Sequence, residues 1–133
     1  MNGDPQQALE ALKLLKDWSS GLVLVQGGIM SVIGALLKGT EQKAARVTAL
    51  LSFVASVLSI VAAANVLGSL PTIAENLGRT AGQSIYDQPA NMLLTVRTNC
   101  TLEATFFIIG LIFFIAFAWL RRETQNASSG RAA

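Results

Sequence analysis

A chain of 133 residues with 52% hydrophobic and only 14% charged side chains, and a mean hydropathy of +0.50, is a single domain suited to a membrane rather than to water. Its net charge of +2 is dispersed along the chain, which excludes a nucleic-acid partner, since polyanion binding needs a clustered basic face. With no histidine and one cysteine, Cys100, an intrachain disulfide and the usual zinc, haem and iron–sulfur ligand sets are excluded, so neither metal nor cofactor is expected.

The opening MNGDPQQALEAL lacks a basic region leading straight into an apolar core, so a cleavable signal is not expected and internal spans drive insertion. Asp4-Pro5 is a helix start, a carboxylate cap followed by a proline whose fixed φ suits the first turn. Ala8, Leu9, Leu12, Leu15 and Trp18 then recur at helical spacing, and the apolar run 21–37 continues them, predicting one helix from Pro5 to Lys38. Trp18 anchors its headgroup end. Ser20, Gly27 and Gly34 repeat every seven residues, as do Gly21, Gly28 and Ala35, with Ser31 between them. In a bilayer, where leucine gains nothing by hiding from lipid, such a stripe lets a second backbone come near.

Residues 39–42 are short enough to force an antiparallel hairpin into AARVTALLSFVASVLSIVAAANVLG, residues 45–68. At ~100° per residue, Ala45, Thr48, Ala49, Ser52, Ser56, Ser59 and Ala63 fall in one narrow arc, and leucines, valines and Phe53 cover the rest. This second stripe is expected to meet the glycines of the first helix or, with several copies assembled, to line a path through Thr48, Ser52, Ser56 and Ser59. Gln26 and Asn65, the strongly polar side chains within these spans, are expected as interhelical glue.

After Gly68 the chain turns polar, and Pro71, Gly78, Gly82 and Pro89 break it. Asp87 or Gln88 followed by Pro89 predicts a third helix from Pro89 to about Glu123, whose second half, 104–120, is the span. Five phenylalanines make that span bulky and suggest an outer, lipid-facing helix, with Trp119 anchoring it and Arg121 and Arg122 stopping it. Residues 5–18 and 69–103 lie on one side and are expected to form a juxtamembrane cap around Leu9, Leu12, Leu15, Ile73, Leu77, Met92, Leu93, Leu94 and Val96. Residues 124–133 read as a disordered tail. Glu103, at the mouth of the third span near Arg97 and Arg79, is expected as a solvated interfacial carboxylate.

The expected fold is therefore all-α: three antiparallel transmembrane helices, up-down-up, in one membrane domain over 1–123, with spans at about 19–38, 45–68 and 104–120. No nucleophile is aligned with a base and no carboxylate pair shares a pocket motif, so an enzyme is not expected. Lys38, Lys43, Arg46, Arg121 and Arg122 outweigh Lys13, Lys16, Arg79 and Arg97, which puts the hairpin and C-terminus in the cytoplasm and the N-terminus outside. The helix-packing or pore-lining candidates are Gly27, Gly28, Ser31, Gly34, Thr48, Ser52, Ser56, Ser59 and Ala63. They favour a self-associating membrane protein, a pore-forming or membrane-perturbing homo-oligomer, over an accessory subunit of a larger membrane complex.

Two stretches carry a resemblance: Lys16-Asp17-Trp18-Ser19-Ser20 with Val25-Gln26-Gly27-Gly28, and Ser84-Ile85-Tyr86-Asp87-Gln88-Pro89. They resemble short three-span bacterial membrane proteins of an uncharacterised family, which implies the layout above and a bacterial inner membrane but no activity. In topology alone the chain is similar to the three-span phage holins, from which its long cap and its sparsely charged tail depart.

Overall fold

A computed structural model describes residues 5–76, 84–91 and 93–129 of the chain. The expected cap at Asp4 and the positions Leu77, Arg79, Met92 and 130–133 lie outside the described residues. Three long helices carry the fold: α1, Pro5–Leu37; α2, Lys43–Asn76; and α3, Val96–Ser129. Stretches within all three are long and apolar enough to cross a bilayer. Large apolar side chains such as Leu24, Leu50, Val61 and Ile112 point out of the bundle, as they do when the solvent is hydrocarbon.

The α1–α2 connection closes through Thr40, whose N–H donates to the Leu37 carbonyl at 3.2 Å while its hydroxyl donates to that of Leu36 at 3.0 Å. Arg46 Nε then donates to the Thr40 carbonyl at 2.6 Å, tying the loop to α2. Thr124 of α3 reaches Gln42 Oε1 at 3.0 Å, so the far end of α3 stands beside this hairpin and the three helices alternate in direction.

Three boundaries differ from expectation. α2 does not stop near Gly68 but runs through Pro71 to Asn76. The proline cannot donate to the Leu67 carbonyl one turn back, and the helix continues because Ile73, one face over, is buried among Leu12, Leu15, Val66, Ile85 and Val96. α3 starts at Val96, not Pro89. Asn91 intervenes with an Asx turn, its Oδ1 accepting from the N–H of Leu93 at 3.0 Å and of Leu94 at 2.8 Å. Thr95 is the working cap, its Oγ1 accepting from the Thr98 N–H at 3.3 Å. At the other end α3 extends through 124–129, residues expected to belong to a disordered tail.

The packing order also differs. α2 is the central helix, and it packs more closely on α3 than on α1. α3 is therefore no outer helix laid on a tight α1–α2 hairpin; Phe117 is fully buried with Ile33, Ala45 and Ala49. A bulky helix can come this near because α2 presents alanine and serine, and because α3 answers with Gly110. A Cβ built on Gly110 would lie 3.3 Å from Ser56 Oγ and 3.5 Å from the Ser52 carbonyl oxygen. At the opposite end, Leu12, Leu15, Ile73 and Val96 of the expected cap are buried together with Val66 and Ile85, which were not expected there, while Leu9 and Leu93 stay exposed.

Candidate functional site

Two features stand apart from ordinary helix packing. The first is a buried polar cluster where all three helices meet. Ser59, on the small-residue face of α2, donates its hydroxyl proton to the Glu103 carbonyl of α3 at 2.7 Å. Gln26 of α1 donates from Nε2 to Ser59 Oγ at 2.6 Å. Ser19, two turns earlier on α1, donates to Glu103 Oε2 at 2.9 Å. Glu103, Ser19 and Ser59 are 0% exposed and Gln26 is 1% exposed.

This overturns the expectation for Glu103. It is not a solvated carboxylate, and Arg97 pairs instead with Asp87 at 3.2 Å on an exposed surface; Arg79 lies outside the described residues. The register explains its depth. Glu103 is level with Ser59, less than one turn, about 4 Å of rise, from the midpoint of the 45–68 stretch. Its carboxylate hangs between that level and the level of Ser19, next to the Trp18 anchor. With 45–68 taken as the span, as the sequence predicts, that level falls in the cap-side half of a hydrocarbon layer roughly 30 Å thick. Among the described residues no Lys or Arg side chain bonds it. Glu103 Oε1 and Gln26 Oε1 are both buried without any hydrogen-bond partner. Because the one Ser59 proton goes to the Glu103 carbonyl, the Ser59 lone pair must take a Gln26 N–H, and this fixes the Gln26 amide with its oxygen unpartnered.

The remaining α2 serines are engaged within the chain. Ser52 donates to the Gly110 carbonyl at 2.8 Å, and Ser56 donates back to the Ser52 carbonyl at 2.9 Å. Ala63 is fully buried, while Thr48 is half-buried and bonds the Ala44 and Ala45 carbonyls one turn back. Ser52, Ser56, Ser59 and Ala63 thus pack inside the monomer rather than facing a path.

The second feature is what this leaves over. Gly27, Gly28, Ser31 and Gly34 of α1 are exposed. A Cβ built on Gly21, Gly27, Gly28 or Gly34 meets nothing within 4 Å, and Ser31 merely donates to the Gly27 carbonyl of its own helix at 2.8 Å. The glycines expected to meet α2 therefore meet no other helix, while Ser20, at the start of the stripe, is half-buried beside Leu67 and Leu70 of α2. Of the expected interface anchors, Trp18 and Trp119 point outward, and Trp119 Nε1 donates to Glu123 at 2.7 Å. Arg122 is exposed beside Arg121, which is half-buried with its NH1 nitrogen unpartnered.

Fold and site together define an integral membrane protein, a three-helix bundle with three helices able to span the bilayer. No family model, curated protein or solved structure matches the chain.

Proposed function

We propose that this protein is a non-enzymatic membrane component that self-associates through the glycine face of α1. The observation that carries this reading is the open space over Gly21, Gly27, Gly28 and Gly34, in a helix whose other face is already packed on α2. Glycine within a helix costs about 1 kcal/mol relative to alanine, and in a membrane that cost is offset where a second helix comes close. With Ser52 and Ser59 of α2 bonded to α3 and Ser56 bonded within α2, the contact between copies passes to α1. A cytoplasmic hairpin and C-terminus are part of this reading, supported by the basic residues near that end of the spans, Lys38, Lys43, Arg46, Arg121 and Arg122.

Light scattering on the protein in a mild detergent tests the proposal. Wild type is expected to run as a defined homo-oligomer, and Gly27→Leu with Gly34→Leu to run as a monomer with unchanged helical circular dichroism. A wild-type monomer at every concentration, free of other chains, overturns self-association. A stoichiometric foreign membrane protein, lost from the same double variant, would replace it with the accessory-subunit reading, in which a partner's helix occupies the same face.

A further inference from the structure

The buried cluster does not take part in the glycine contact. Its chemistry is that of a deficit of positive charge. A carboxylate within the hydrocarbon is costly unless something cationic or strongly hydrogen-bonding faces it. Here one carboxylate oxygen accepts from Ser19 and the other accepts from nothing. The nearest polar neighbours do not cure this. The protons of Ser19 and Ser59 are already given to Glu103 Oε2 and to the Glu103 carbonyl, and the Gln26 amide is locked with its own oxygen free. Two fully buried side-chain oxygens, Glu103 Oε1 and Gln26 Oε1, are thus left unpartnered in one bonded network that links all three helices, and its serine hydroxyls retain lone pairs after donating.

We propose that the bundle binds one Na⁺ between the Glu103 carboxylate and the Gln26 amide oxygen, the two unpartnered acceptors of this cluster. Carboxylate, amide and hydroxyl oxygens are the ligands a hard cation takes. Charge selects the monovalent ion. One carboxylate and one Na⁺ sum to zero, whereas a divalent ion would leave a net charge in a medium that screens it poorly. The site also joins all three helices, Gln26 and Ser19 from α1, Ser59 from α2 and Glu103 from α3. Occupancy should therefore stabilise the bundle as a whole.

Thermal unfolding of the detergent-solubilised protein in NaCl, against choline chloride of equal ionic strength, reads this directly. Binding to the folded state alone raises the midpoint, here by about 3–6 °C once Na⁺ reaches some ten times its dissociation constant. The rise is expected in wild type, absent in Glu103→Gln and reduced in Gln26→Leu. An equal rise with choline, or a Na⁺ rise that survives Glu103→Gln, overturns the site. Stabilisation by acid with no response to Na⁺ also overturns it, and shows a proton held by the carboxyl in place of the metal ion. Should Glu103→Gln not survive extraction, equilibrium binding of radioactive sodium to wild type decides: saturable binding competed by unlabelled Na⁺ but not by choline supports the site, and its absence overturns it. Self-association is read separately by light scattering, so either proposal can fail alone.

Discussion

A methyl group at Gly110 would press on Ser56 Oγ at 3.3 Å, and anything larger would drive into the Ser52 carbonyl behind it. Gly110→Leu is therefore expected to destabilise the α2–α3 contact by about 1–3 kcal/mol, the range for overpacking a close interface. Gly28→Leu, over open space, should leave the stability of the monomer within about 0.5 kcal/mol. Denaturant titration of both variants, followed by circular dichroism under conditions where the chain is monomeric, measures the contrast. Arg97→Ala should also fall within about 0.5 kcal/mol, because its ion pair with Asp87 is exposed on both sides. The two glycines look alike in the sequence, each a small residue in an apolar run. What separates them is which face the neighbouring helix turns toward them, and that depends on residues scores of positions away. Glu103 was illegible for the same reason. Its position at the start of an apolar run is that of an interfacial carboxylate, and only the register of Ser59 against its carbonyl carries it below the surface.

The elements were legible wherever their signals were local. Pro5 at the helix start, the 3.6-residue periodicity of α1 and the tight 39–42 connection are properties of neighbouring residues, and α1 ends within a residue of its expected limit. Where local and tertiary signals competed, the tertiary ones won at Pro71 and a less obvious local one won at Asn91. Thr95→Ala should cost about 1 kcal/mol by removing the cap on the Thr98 N–H. Hydrogen exchange resolved by residue is expected to localise the loss of protection to the first turn of α3, leaving the amides near Gly110 unchanged. Pro71→Ala should act in the opposite sense. It restores a donor for the Leu67 carbonyl and removes the ring from the preceding turn, so the amides of 71–76 are expected to gain protection.

At the scale of the molecule, the alternation of three helices followed from loop length and apolar run length alone, but their order of packing did not. α2 holds the centre with its alanine and serine face buried, and α3, rich in phenylalanine, fills the space that face leaves. α1 then closes the polar cluster with Ser19 and Gln26 and presents its glycines outward. This arrangement gathers charge at one end. Lys38 and Lys43 flank the hairpin, Arg46 is bonded to its loop, and the Thr124 contact with Gln42 brings Arg121 and Arg122 alongside. On the opposite end Lys16 and Lys13 sit about half a turn and one and a half turns outside Trp18, and Arg97 is bonded to Asp87. The basic residues closest to the spans set orientation, so a fluorescent protein fused after the last residue is expected to mature in the cytoplasm, and alkaline phosphatase fused there to stay inactive. Replacing Lys38, Lys43 and Arg46 with glutamine weakens the hairpin charge without altering any apolar run. The fluorescence of the fusion should fall and phosphatase activity should appear, as a share of the chains inserts inverted. Full fluorescence after the triple replacement would instead assign the orientation to Arg121 and Arg122, and the same exchange at those two arginines would then be the change that inverts the protein.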